Sequence, residues 1–313
     1  FDESGFVKKG RESIGVAKQY CGTIGKIENC QVGVFAAYAS ENGYALVDKR
    51  LFIPEKWFTD DHSSRRKKCT LPQETVFRTK PQLAIEMLAT IHKENVLPFK
   101  YVLADSLYGA SPEFIAAVEG LAGKTYFVSV PKSTRCWLEQ PMTYTKSYQW
   151  GGKTRAKTFL ADPDGKPLSV EELAKNTNDY FWYRRKVSEG TKGPIVYEFT
   201  RRRVILGVDG LPQKTVWLLI RRTLDDDPEY SYFISNASAS IRLQTLVWLS
   251  GLRWAIEQCF EEAKSELGMD HYEVRKFTGW HHHMLTCMLA HFFLWHLKIR
   301  MGKKSTVYYA VEA

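Results

Sequence analysis

The stretch from Leu243 to Gly268, LQTLVWLSGLRWAIEQCFEEAKSELG, constrains the fold more than any other. At about 100° per residue, Leu252, Ile256, Cys259, Ala263 and Leu267 fall on one side, so the spacing predicts a single helix docked on a sheet. Arg253, Glu257 and Lys264 are spaced by four and seven residues and share an adjacent face within roughly 60° of one another. Gly268 sits where a helix favours glycine just past its end. Such a helix can carry a metal-binding carboxylate between two phosphate-binding cations. A solvated face with i,i+4 ion pairs accounts for the same residues, so the rest of the chain must decide.

With 313 residues the chain can bury a large core, as one domain or as a domain with a big insertion. The net charge of +9 favours a polyanionic partner such as nucleic acid. Six cysteines without a CxxC pair read as the reduced thiols of a cytoplasmic protein. The most apolar run, Met284 to Leu297, contains His291 and His296 and is too short to span a bilayer, so no membrane role is expected. It reads instead as a core-packing helix. The chain opens at Phe1-Asp2 without an initiator Met and reads as the inside of a longer protein.

In chain order, Arg11 to Glu28 reads as a Gly-rich loop, and Cys30 to Ala39 and Tyr44 to Phe52 as a hairpin turned by Asn42-Gly43. Pro54 to Thr79 reads as a charged, exposed loop and Lys80 to Ile91 as a helix. Phe99 to Asp105, FKYVLAD, is an apolar run that stops abruptly in an acid, the place where open α/β sheets put their chemistry. A helix from Ser111 and a strand from Thr125 follow. Between Pro131 and Ser240 short strand-like pieces alternate with basic clusters at 184–186, 201–203 and 221–222 and with Trp150, Trp182, Tyr183 and Trp217. Aromatics beside arginines suit an unstacked base, and ordinary sheet packing suits any single tryptophan.

Three acids stand out: Asp2, Asp105 and Glu257. If Asp2 and Asp105 end neighbouring strands, the late helix can bring Glu257 beside them, and divalent cations would neutralise the trio. Asp48, Asp60 and Asp61 satisfy the same pattern on spacing alone.

The arrangement resembles the DDE transposases of bacterial insertion sequences, whose catalytic core is RNase H-like. Within them it is most similar to the insertion-sequence 701 family, in the group carrying a Tyr-x2-Arg-x3-Glu-x6-Lys motif. Arg253, Glu257 and Lys264 match that motif in type and spacing. DESGFVKKG, QYCGTIGKIENCQVGV, ADSLYGAS and GWHHHMLTCMLAHFFL also look like that family's segments, in the same order. Ser250 stands in the motif's Tyr position. The family's first catalytic strand should precede Asp2, and its N-terminal end-recognition region lies upstream.

The resemblance implies an α/β fold, an RNase H-like core over 1–131 and 241–313 interrupted by a β-rich insertion over 132–240. It implies Asp2, Asp105 and Glu257 as ligands of two Mg²⁺ ions, with Mn²⁺ as a substitute. Arg253 and Lys264 would contact DNA phosphates; surface ion pairing with Glu261 or Glu262 is the plainer role. Lys8 and Lys9 are candidate backbone contacts, and Arg201, Arg202 and Arg203 a candidate DNA-binding cluster. The implied activity is Mg²⁺-dependent DNA cleavage and strand transfer at element ends, by a homodimer or higher assembly at the bacterial nucleoid. A stand-alone RNase H-like nuclease and a DNA-binding derivative without catalysis are the alternatives. His281, His282 and His283 point in different directions on a helix and suit capping, packing or phosphate contact better than zinc. With only Phe1 ahead of Asp2, the chain alone is expected to fold poorly and to be inactive until extended.

Overall fold

The computed structural model describes residues 1–301 except 41, 163, 191 and 192. The chain divides into two compact units, Phe1–Lys124 with Gly251–Ala313, and Thr125–Ser250. The overall class is mixed α/β.

The first unit is built on β3 (Lys26–Ser40), with β1 (Asp2–Val7) and β2 (Ala17–Cys21) antiparallel to it. β4 (Gly43–Phe52) returns along β3 from Ser40↔Gly43 to Val32↔Phe52. Short helical turns follow, ending in α1 (Ser63–Lys68). α2 (Lys80–Glu94) starts from a capping box in which Thr79 and Gln82 satisfy each other's backbone N–H groups at 3.3 and 3.0 Å. It buries Leu83, Ala84, Met87 and Leu88 against β3 and β4. β5 (Tyr101–Ala104) leads into α3 (Ser106–Gly109) and α4 (Pro112–Glu119).

The second unit is mainly β. It comprises β6 (Thr125–Ser129), β7 (Arg135–Trp137), the hairpin β8 (Thr143–Trp150) and β9 (Lys153–Leu160), β10 (Leu168–Ser169) and α5 (Val170–Lys175). β11 (Tyr183–Gly190), β12 (Gly193–Val208), β13 (Leu211–Arg222) and β14 (Tyr230–Ser235) follow. Its sheet runs β10-β7-β12-β13-β14-β6, with β11 also on β12 and each neighbouring pair antiparallel. β8 and β9 pair only with each other among the described strands.

α6 (Leu243–Leu252), α7 (Trp254–Ser265) and α8 (Phe277–Arg300) complete the chain. Two helices thus stand where the spacing predicts one. The Ser250 hydroxyl donates to the Val247 carbonyl at 2.7 Å and Gly251 follows, a Ser/Gly pair of the kind that interrupts helices. Past α7, Gly268 has φ +63°, as a residue leaving a helix requires. Ile256, Cys259, Phe260 and Ala263 of α7 pack with Phe6 and Phe35 of the sheet and Trp280 and Met284 of α8.

Several expectations need correction. Asp2 does not close a strand: β1 runs on from Asp2 to Val7, paired antiparallel with β3 from Asp2↔Phe35 to Val7↔Cys30. Arg11 to Glu28 contains β2, whose buried Ala17 and Cys21 are separated by polar residues that hide its alternation. Pro54 to Thr79 is not merely exposed, since Trp57 is fully buried and its indole N–H donates to the Val16 carbonyl at 3.0 Å. α8 is a core helix on one side only: Met284, Cys287, Met288 and Trp295 are buried, and Leu285, Leu289, Phe292 and Phe293 are exposed. No helix among the described residues is long and apolar enough to cross a membrane.

Candidate active site

β1 sorts its side chains by alternation. Phe6 enters the core shared with α7 and α8, and Asp2, on the same face, meets Arg253 at 3.6 Å. Glu3 faces the other way, where its carboxylate holds Lys80 at 2.8 Å and accepts from the Tyr108 hydroxyl at 3.2 Å. Asp105 follows β5 and caps α3, one oxygen accepting from the N–H groups of Leu107 (2.9 Å) and Tyr108 (3.4 Å). The Phe1 nitrogen donates to the Leu103 carbonyl at 2.7 Å and ties the start of β1 to β5. Carboxylate oxygens of Asp2, Glu3 and Asp105 thereby lie within 4.8 Å of one another.

The electrostatics are those of a crowded anion site. Burial, and then the Asp105 charge, push the Asp2 carboxyl up to about 7, with Arg253 pulling the other way. Burial and Glu3 also raise Asp105, against the two capping N–H groups. Tyr108 is fully buried and held protonated far above its usual range by burial and the neighbouring acids. Oxygens sharing one hard divalent cation at about 2.0–2.6 Å sit at most about 5 Å apart. The grouping of Asp2, Glu3 and Asp105 satisfies that limit, and its surplus negative charge is what such a cation neutralises. The donor set therefore fits a divalent metal.

Glu257 does not join that grouping directly. It lies in the first turn of α7 and is bound by Arg253 at 2.7 Å. The same guanidinium touches Asp2, so Arg253 links the two acids. Lys264 lies toward the other end of β1, donating to the Gly5 carbonyl (3.3 Å) and the Thr23 hydroxyl (2.9 Å), and burial lowers its pKa. The structure thus brings Asp2, Asp105, Arg253 and Glu257 into one chain of contacts and leaves Lys264 outside it.

Lys8 donates to the Tyr272 carbonyl at 2.6 Å over that residue's ring, and burial brings it down to about 8. Lys9 is exposed. In the second unit, Arg201 donates to the Ile241 carbonyl, and Arg201 and Arg203 lie 4.6 and 5.3 Å from the centre of the Trp217 ring. Arg202 lies on the opposite face of β12, 5.3 Å from the Phe181 ring. His281 packs 4.4 Å from Phe277 and is pushed down to about 4 by burial, then by Lys49 and Arg50. Ser250, in the motif's Tyr position, is buried.

Sequence reasoning missed Glu3 and Lys80. The signal was the adjacent pair Asp2-Glu3, since neighbours on a strand point to opposite faces and both can reach a site at its end.

Comparison with known proteins agrees with this chemistry. Residues 1–194 match the family described as DDE superfamily endonuclease. The chain is also 22% identical over 275 residues to a protein of Microchaete diplosiphon described as a probable transposase for insertion sequence element IS701. That similarity covers 87% of this chain and 58% of the relative, so the chain spans little more than half of that protein's length.

Proposed function

The chain belongs to the DDE superfamily endonucleases, and on that footing we propose that it is the catalytic part of an insertion-sequence transposase. In this reading the first unit is an RNase H-like core and the second unit its β-rich insertion. The reaction is cleavage of DNA at element ends and transfer of the freed 3′-OH to target DNA. Mg²⁺ is the metal, as two ions with Mn²⁺ as a substitute, and a homodimer or larger assembly on DNA at the bacterial nucleoid is the working form. The observation that carries the reading is the approach of Asp2 and Asp105, with Arg253 joining Asp2 to Glu257.

Asp2 and Asp105 would hold the metal, with Glu257 as the third ligand. Bound there, divalent ions supply the Lewis acidity that a phosphodiester displacement needs at its entering and leaving oxygens. The chain's own residues do the rest. The α3 cap fixes one oxygen of Asp105 and so aims the other. Lys80 and Tyr108 hold Glu3 from behind and keep the cluster from splaying. Arg253 neutralises the acids and, on meeting a phosphate, exchanges Glu257 for a bidentate contact. Lys9 is exposed for phosphate contact, whereas Lys8, Lys264, Arg201 and Arg203 would first give up protein carbonyls.

The test is nicking of a supercoiled plasmid carrying the element ends by the full-length protein. Cleavage that requires Mg²⁺ and disappears in Asp105→Asn supports the reading. Cleavage without a divalent ion, or unchanged in Asp105→Asn, overturns it.

A further inference from the structure

We propose that the β8–β9 hairpin is a DNA-docking ribbon that lays one face along duplex phosphates, an inference that rests on DNA being the substrate. The strands pair from Thr143↔Leu160 to Trp150↔Lys153 and are closed by Gly151 and Gly152, at φ +56° and +73°. Two positive φ values mark the two-residue turn whose twist suits a hairpin. Directly opposed residues share a face, and successive residues alternate between faces.

This register sorts the side chains completely. All four cations, Lys146, Lys153, Arg155 and Lys157, fall on one face. The hairpin's four aromatics share it, with Tyr148 opposite Arg155 and Trp150 opposite Lys153. The reverse face is uncharged, with Thr145 bonded to Thr158 at 3.2 Å and Gln149 to Thr154 at 2.8 Å. No Asp or Glu occurs between 143 and 160. Every residue of β8 is exposed, and Trp150 at the tip is 67% exposed.

Two plainer roles fit poorly. A packing face would be buried. Lysines placed only to keep a strand soluble would not share their face with exposed aromatic rings. Lys146 also stands directly opposite Lys157, a like-charge pair that a polyanion over this face would relieve. Their ammonium groups lie 5.5 and 5.4 Å from the centres of their own strands' Tyr144 and Phe159 rings. A two-stranded ribbon fits the roughly 12 Å major groove, and duplex DNA offers one charge per about 1.7 Å.

The test is binding of the full chain to an arbitrary 40-bp duplex, by fluorescence anisotropy between about 50 and 200 mM KCl. Each phosphate contact contributes about 0.9 to the slope of log K against log salt. Replacing Lys146, Lys153, Arg155 and Lys157 together by Ala should flatten that slope by about 3.6. Wild type would then lose roughly 150-fold more affinity than the variant over this range. Lys153→Ala with Arg155→Ala alone should flatten it by about 1.8, roughly 12-fold, and carries the test if the fourfold variant does not fold. On the reverse face, Ser147→Ala with Thr154→Ala should leave the slope unchanged. A wild-type slope in the hairpin variants, or an equal loss from the reverse face, overturns the proposal while DNA binding by the chain stands. Absence of DNA binding by the wild-type chain overturns the transposase reading itself, and the ribbon with it.

Discussion

Arg253 holds Glu257 at 2.7 Å while its guanidinium also lies 3.6 Å from Asp2. A protein cation thus occupies part of the space in which a metal ion would compete for the same carboxylates. Arg253→Gln should therefore tighten Mn²⁺ binding to the DNA-free protein, measured calorimetrically at pH 8.5, where Asp2 is ionised. A partly exposed pair is worth up to about 1 kcal/mol, so the expected gain is about two- to fivefold. Weaker Mn²⁺ binding would instead show that Arg253 props Glu257 in its binding position.

Asp105 both caps α3 and faces the acid cluster. Asparagine caps as well as aspartate, so Asp105→Asn should abolish Mg²⁺-dependent nicking and leave denaturant stability nearly unchanged. Asp105→Ala should lose activity and a further ~1 kcal/mol or so of stability. Equal stability of the two variants in urea melts would show that the cap contributes nothing.

The raised Asp2 carboxyl sets a pH dependence. Its folded value, about 7, exceeds the ordinary 3.8, so between these values the folded state binds the extra proton. Stability from this group is therefore full below about pH 4, falls as pH rises, and levels off above about pH 7. Urea melts in EDTA across that window should show the decline in wild type, with a shallower one in Asp2→Asn. Parallel curves would place the titration elsewhere. Metal affinity should run the opposite way, rising toward pH 7 as the proton leaves.

Glu262 gathers three donors from elements far apart in sequence: the Tyr44 hydroxyl at 2.8 Å, His291 Nε2 at 2.7 Å and the Trp295 indole at 3.1 Å. Burial alone would raise this carboxyl, but those hydrogen bonds outweigh it and hold it below its usual range. Glu262→Ala removes a buried acceptor from all three, at about 1–3 kcal/mol for each donor left unsatisfied, so a loss of about 2 kcal/mol or more is expected in a denaturant melt. A loss below about 1 kcal/mol would mean that water replaces the carboxylate at no cost.

What could be read from the chain beforehand follows the range of the forces involved. The halt of FKYVLAD at Asp105 and the spacing of Arg253 and Glu257 are local patterns; Asp105 lies in the acid cluster, and Arg253 joins Glu257 to Asp2. β2 was hidden because its few buried residues matter only once β3 lies beside them. The break before α7 depends on a hydroxyl folding back on Val247, which no apolar periodicity reports. The roles of Glu3 and Lys80 arise where β1 meets α2, across a gap in sequence that spacing rules do not span. Lys264 satisfies the motif's spacing and yet reaches the Gly5 carbonyl, because the far end of α7 lies over the middle of β1.

The opposite orientations of Asp2 and Glu3 make β1 a strand whose parity carries chemical meaning. One extra residue between Glu3 and Ser4 would leave Phe6 in the core and turn both acids over. Glu3 would then take the place that faces Arg253, and Asp2 the place of Phe1 beside Phe114. Composition would be almost unchanged, yet the shorter carboxylate would sit on the wrong side. In this segment the count of residues is under tighter constraint than their identity, and a one-residue length change should be harder to tolerate than most substitutions there.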